Sequence, residues 1–288
     1  MSWDLVTNVV ISGMLTGLVY GLMALGLSVI YGVVRVVNFA HGEMMTIAMY
    51  AVVMLFAAFK LDPFLAMLPV AAVFFVLGYL MQSGFIHPFI TRPEHSQFIL
   101  MVAVAIIMVN GLLLVFGPDA RNVQIEYQLE SYEIGPILID KARLYAAAAA
   151  VATATALFAF FKMTLSGKAI RACADNHLGA LVVGLNVKHL YALTFGLGAV
   201  CVAIAGCAMA VLLEVTPQLG PAYTLLAFVI VIVGGLGSMG GALLGGVLIG
   251  VSEALAGLFI TPSAKSMVSF GLLILVLLLR PQGLLGRK

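Results

Sequence analysis

Long apolar stretches separated by short polar breaks run the length of the chain. A helix needs about 20 mostly apolar residues to cross a bilayer. Nine stretches are candidates, at about 6–31, 40–59, 63–82, 97–117, 142–162, 189–213, 222–236, 239–260 and 264–281. The pattern predicts an all-α, polytopic transmembrane bundle of eight to nine spans, a single domain over 1–288. The run at 222–236 is short for a crossing. Gly234, Gly235, Gly237, Gly240 and Gly241 crowd the junction after it, so a broken helix is expected there. Lipid-facing backbone could not tolerate such a break, but backbone inside the bundle can. Gly13, Gly17 and Gly21, and later Gly237, Gly241 and Gly245, repeat at every fourth position. Such stripes let helix backbones approach closely in lipid.

Two polar segments interrupt the pattern. Residues 118–141 are acidic, and VQIEYQLESYEI alternates partly at period two, which suits a short hairpin. Residues 163–188 are basic and amphipathic. Ser166 is a candidate N-cap for a short helix there. Asp175 or Asn176 can cap a second, ending at a left-handed Gly184.

Composition changes the picture only by confirming the solvent. Of 288 residues 63% are apolar and 9% charged, whereas a soluble domain is about a quarter charged. The outer surface must therefore face lipid. A net charge of +2 without a basic run gives no footprint for nucleic acid. Cys173, Cys201 and Cys207 are odd in number and lack metal-ligand spacing, so they read as free thiols. The first apolar run lacks a positive start and a clear cleavage site, so it is expected to stay as a helix.

The Lys/Arg bias sets orientation. With nine crossings and the N-terminus outside, Arg35, Arg92, Lys162, Lys168, Arg171, Lys188, Arg280, Arg287 and Lys288 fall inside. Lys60, Arg121, Lys141, Arg143 and Lys265 fall outside, with most of the acidic residues. The C-terminus is expected in the cytoplasm.

Three places carry candidate chemistry. In GVVRVVNFAHGEMM, residues 32–45, Asn38 can cap the following helix, Arg35 can pair with Glu43, and His41 completes a polar break between two spans. The segment reads either as an ordinary inner turn or as a helix end at the mouth of a solute pathway. The Gly235–Gly237–Ser238 junction and Glu253, inside a late span, are the other pathway candidates. Broken helix ends near the midplane could replace the hydration lost by a crossing zwitterion. In 166–190, Lys168, Arg171, Ala174, Asp175, Asn176, Ala180 and Gly184 outline paired short helices. These either dock on a soluble partner or only fix topology.

Read in order, GLVYGLMALGLSVIYGVVRVVNFAHGEMM (17–45), RACADNHLGALVVGLNV (171–187) and PQLGPAYTLLAFVIVIVGGLGSMGGALLGGVLIG (217–250) resemble the branched-chain amino acid permease family of ABC importers, in particular its LivH-type subunits. The resemblance implies a second, LivM-like permease, two cytoplasmic ATPase subunits and a periplasmic solute-binding protein as partners. It also implies residence in the lipid of a bacterial inner membrane. The inner loop resembles that family's coupling segment, with Ala174, Ala180 and Gly184 in place and Asp175 where a Glu–Ala pair is usual. The expected solutes are branched-chain or other hydrophobic amino acids, with amides, urea or aromatic acids as alternatives.

No cofactor is expected, because the only Gly-Lys pair, Gly167-Lys168, lacks the P-loop glycine and hydroxyl that cradle phosphate. ATP would bind the partner subunits. A self-sufficient carrier or channel is the rival reading, and it would need more intramembrane carboxylates than Glu253 and Glu43 supply. An intramembrane serine enzyme is disfavoured, since Leu236 stands where a nucleophile elbow needs glycine.

Overall fold

A computed structural model describes residues 3–286, with the side chain of Pro262 left out; Arg287 and Lys288, expected on the inner side, lie outside the described residues. The helices are α1 (Trp3–Val34), α2 (His41–Phe59), α3 (Pro63–Leu80), α4 (Glu94–Phe116), α5 (Lys141–Met163), α6 (Leu165–Asp175), α7 (His177–Val182), α8 (Val187–Leu212), α9 (Leu219–Gly234), α10 (Met239–Phe259) and α11 (Lys265–Leu279). A π-helical turn, Met81–Ile86, and a 3-10 turn, His87–Phe89, prolong α3. Among the described residues seven helices are long and apolar enough to cross a bilayer, and α9 and α11 are shorter apolar helices. All nine expected stretches are helical.

A hairpin is present in 118–141, but later than expected: within VQIEYQLESYEI only Ser131–Ile134 is strand, and Glu126–Gln128 forms a 3-10 turn. Strands β1 (Ser131–Ile134) and β2 (Ile137–Asp140) pair antiparallel, Ser131 opposite Asp140, across a turn at Gly135. Asn8 of α1 ties it down: its Nδ2 donates to Pro136 O at 3.2 Å and its Oδ1 accepts from Leu138 N at 3.0 Å. The hairpin thus marks the end of the bundle where α1 begins. Asp62 organises the same end. It caps α3 by accepting from Phe64 N at 2.8 Å, with Pro63 preset for the first helical position, and its other oxygen accepts from Tyr127 Oη at 2.6 Å. Burial, then this bond to Asp62, pushes the Tyr127 phenol above its usual range.

The opposite end carries α6 and α7. Thr164, not Ser166, caps α6, its hydroxyl accepting from Gly167 N at 3.0 Å. The helix starts one residue before Ser166, which leaves Ser166 inside it. Asn176 caps α7, accepting from Gly179 N at 2.9 Å, and Gly184 follows at φ 82°. The C-terminal segment returns to this end: Leu284 N and Leu285 N donate to Val233 O and Gly234 O at 2.9 Å each. The two described chain ends therefore lie at opposite ends of the bundle, as an odd number of passages requires.

The core seam is α1 against α10, where glycines replace side chains. A Cβ on Gly17 would lie 2.7 Å from Gly246 O, and one on Gly246 would lie 2.3 Å from Gly21 Cα. No side chain fits at that separation. The later glycine stripe serves other neighbours: Gly245 packs on Ile230 O and Gly241 on Gly234 O, both of α9, while Gly237 meets Gly32 of α1.

Candidate functional site

The first candidate group is built around the start of α2. Arg35, at φ 60°, ends α1, and residues 35–40 turn back into the bundle rather than out of it. The Phe39 ring packs on Phe98 of α4 and Phe228 of α9, at centroid distances of 4.7 and 5.0 Å. His41 then opens α2 beside the middle of α1, where its Nε2 donates to Met23 O at 2.9 Å. Met23 lies about 11 residues before Val34, or about 16 Å along the helix axis at 1.5 Å per residue. That is about half of a hydrocarbon core of roughly 30 Å. The helix end expected at a pathway mouth is thus at mid-bundle, and His41 is not near the inner side.

Two local expectations are corrected here. Asn38 does not cap α2: its Oδ1 accepts from Ala40 N at 3.0 Å, still short of the helix, and its Nδ2 donates weakly to Met44 Sδ. Arg35 is exposed and forms no ion pair with Glu43. The α2 terminus is capped by another helix. Thr224 of α9 accepts from Gly42 N at 2.8 Å and donates to Glu43 Oε2 at 2.8 Å. A carboxylate in a first helical turn also opposes the partial positive charge of the helix start. Glu43 is only 3% exposed, and Asn38, His41 and Thr46 are fully buried. The close approach needs Gly42, whose Cβ would sit 2.1 Å from Gly220 O.

The second group surrounds a cavity of about 960 Å³ at the α6 end. Its wall joins the end of α1, one face of α6 and the α9–α10 turn. Gly237 and Ser238 from the pathway candidates meet Lys168, Arg171, Ala174 and Asp175 from the coupling candidates there. The break is as expected in kind: α9 ends at Gly234, Gly235 and Gly237 have φ of 109° and 76°, and Ser238 caps α10 by accepting from Gly241 N at 3.1 Å. Its depth differs. Contact of Gly237 with Gly32, two residues before the end of α1, puts the turn at the α6 end and not at the midplane. The discontinuities at mid-bundle are the starts of α2 and α9.

The remaining coupling candidates sit outside this wall. Asn176 is the α7 cap, Ala180 is buried, and Gly184 ends the pair. What α7 presents outward is apolar: Leu178, Leu181, Val182 and Val183 are 52–87% exposed. The sequence reading passed over these four because it looked for small residues. An apolar run in a basic, non-spanning segment was the available signal. Burial pushes the Cys173 thiol of α6 up; Cys173, Cys201 and Cys207 are all free and buried.

The third group is Glu253 on α10. Its Oε1 accepts from Ser269 Oγ of α11 at 2.7 Å, and Tyr20 and Tyr223 stand close enough to interact with its carboxylate. Glu253 is half-buried and does not join the other two groups.

The family model for the permease component of the branched-chain amino acid transport system matches residues 9–277. The chain belongs to this permease family. The high-affinity branched-chain amino acid permease LivH of Salmonella typhimurium is 31% identical, over 96% of this chain and 94% of the relative. Escherichia coli K12 LivH is equally similar over the same shares, and BraD of Pseudomonas aeruginosa is 30% identical over 96% and 94%. No solved structure matches. The permease is a multi-pass membrane protein, and each of the three polar groups departs from plain apolar helix packing.

Proposed function

We propose that the chain is the translocation subunit of an importer that carries branched-chain or other hydrophobic amino acids across a bacterial plasma membrane. ATP hydrolysed by two separate cytoplasmic subunits drives it. A second, LivM-like permease completes the pathway, and a periplasmic solute-binding protein delivers solute at the hairpin end. The N-terminus is then outside, and the α6 end, with the C-terminal segment, faces the cytoplasm.

The observation that carries this reading is the α6–α7 pair on a permease-family bundle. An apolar edge of α7 faces outward, while α6 faces inward onto the end of α1 and the α9–α10 turn. An amphipathic short helix offers a soluble partner a side to grip. Displacement of α7 moves α6, and α6 borders α1. The α1 helix holds His41 through the Met23 carbonyl, and α2 holds α9 through Thr224. Two packed arrangements of such a chain of contacts can open one end of the bundle and close the other.

The test is association. Leu178→Asp with Val182→Asp should abolish co-purification of the ATPase subunits while the permease remains folded in detergent. Full association in that variant would remove the docking role. A second reading, a carrier driven by proton or sodium gradients, gains from the depth of Glu43, since an intramembrane carboxylate is a usual coupling site. Solute uptake by the chain alone, without ATPase subunits, would favour it.

A further inference from the structure

The cavity at the α6 end has a chemistry of its own. Arg35, Lys168 and Arg171 line it, against Asp175 as the one acid on its wall. None of the three cations forms an ion pair among the described residues. Arg35 reaches it from a left-handed backbone conformation, φ 60°, that is costly for a residue with a Cβ and persists where the surroundings impose it. Ser28 of α1 also lines the cavity. It is 1% exposed, and its hydroxyl has no hydrogen-bond partner among the described residues. A buried hydroxyl without a partner costs free energy unless something supplies one. The rest of the wall is mixed: Val29, Val33, Phe161, Leu236 and Leu285 are apolar, while Tyr31 and Ser238 bring polar groups. The volume, about 960 Å³, lies at the upper end of the usual range of small-molecule sites.

We propose that this cavity is a carboxylate-binding compartment in which Arg35 and Arg171 receive the carboxylate of the carried amino acid and Ser28 offers it a further hydroxyl donor. The identity of the solute, and the placing of the cavity on the release side, rest on the function proposed above; the anion site itself does not. Guanidinium groups bind carboxylates through paired, charge-assisted hydrogen bonds. The apolar part of the wall suits the hydrocarbon side chain of the same molecule. An anionic lipid headgroup shares the chemistry of the charged part but has no hydrocarbon side chain to set against the apolar part of the wall.

The experiment measures binding to the full chain in nanodiscs of zwitterionic phosphatidylcholine. The probes are 4-methylpentanoate, which keeps the carboxylate and side chain of leucine, L-leucine itself, and leucinamide, which lacks the carboxylate. The first two should bind and leucinamide should not. Arg35→Gln and Arg171→Gln should each weaken 4-methylpentanoate by about tenfold or more. Ser28→Ala should weaken it by a few fold. Arg280→Gln, a cation at the same end that is not on the wall, should leave it unchanged. Arg35→Lys and Arg171→Lys should retain part of the affinity, which separates lost charge from lost fold.

Absent binding, or equal binding in the glutamine variants, overturns the proposal. If phosphatidylglycerol in the nanodisc abolishes 4-methylpentanoate binding to the wild type, the headgroup is the occupant and the solute assignment is overturned. Arginine-dependent binding together with no leucine uptake by the complete transporter leaves the anion site standing and removes the proposed function. Uptake without such binding does the reverse.

Discussion

Replacing Thr224 by valine removes one hydroxyl and almost no volume, and it is the sharpest probe of how the half-helices are held. The Thr224 oxygen accepts from Gly42 N and donates to Glu43 Oε2, each at 2.8 Å, in a buried place. Valine leaves a helix-terminal N–H and a carboxylate oxygen without that partner. An orphaned buried donor or acceptor costs about 1–3 kcal/mol, more when it is charged. The expected loss is therefore about 2–5 kcal/mol, against a total stability of about 5–15 kcal/mol for an ordinary domain. Thr224→Ser keeps the hydroxyl and should lose about 1 kcal/mol or less. Thr46→Val is the control, because its hydroxyl only returns to Gly42 O within its own helix, at 3.0 Å; a cost under about 1.5 kcal/mol is expected. Denaturation in mixed micelles with sodium dodecyl sulfate reads all three. A Thr224→Val protein as stable as the wild type would refute the cross-helix cap.

Gly246→Leu should prevent assembly of the α1–α10 seam and abolish folded protein in detergent, because its Cβ alone would meet Gly21 Cα at 2.3 Å; monodisperse, thermally stable protein would contradict this. Gly237→Leu should impair transport more than expression, since the residue has φ 76° and its Cβ would only touch Gly32 Cα at 3.4 Å. Wild-type uptake in that variant would argue against strain at the turn. Tyr127 holds its proton more tightly folded than unfolded. Stability should therefore fall as pH rises past about 10, where the unfolded phenol ionises while the folded one is still protonated. Tyr127→Phe should flatten that limb in thermal melts from pH 8 to 11, and an unchanged limb would show that another group causes it.

Much of the bundle was legible because lipid imposes one rule along the whole chain: a span must be apolar for its full length. The nine stretches, the Asn176 cap (one of two neighbouring candidates) and the left-handed Gly184 all follow from residues within a few positions of one another, whereas the hairpin lies further along the 118–141 segment than its alternating stretch suggested. The corrections share a different cause. The start of α2 is capped by Thr224, 182 positions from Gly42, and no local pattern announces it. Asn38 and Arg35 were given the partners that sequence proximity offers, yet the chain between them folds inward and changes what each can reach. The glycine-rich turn was recognised as a break, but its depth depends on Gly32, which belongs to another helix. The meeting of Arg35, Lys168 and Gly237 around one cavity likewise belongs to tertiary structure. The outward face of α7 was legible in principle from HLGALVV, where apolar residues stand in a segment too short and too polar in its flanks to span.

This permease is expected to move its solute only when separate subunits hydrolyse ATP. Uptake of radiolabelled leucine tests it directly, in proteoliposomes holding the chain with its companion permease and ATPases, with binding protein outside and ATP at the α6 end. Uptake should stop when ATP or the ATPase subunits are left out, whatever ion gradient is imposed. Sustained uptake by the chain alone under a proton or sodium gradient, without nucleotide, would contradict it.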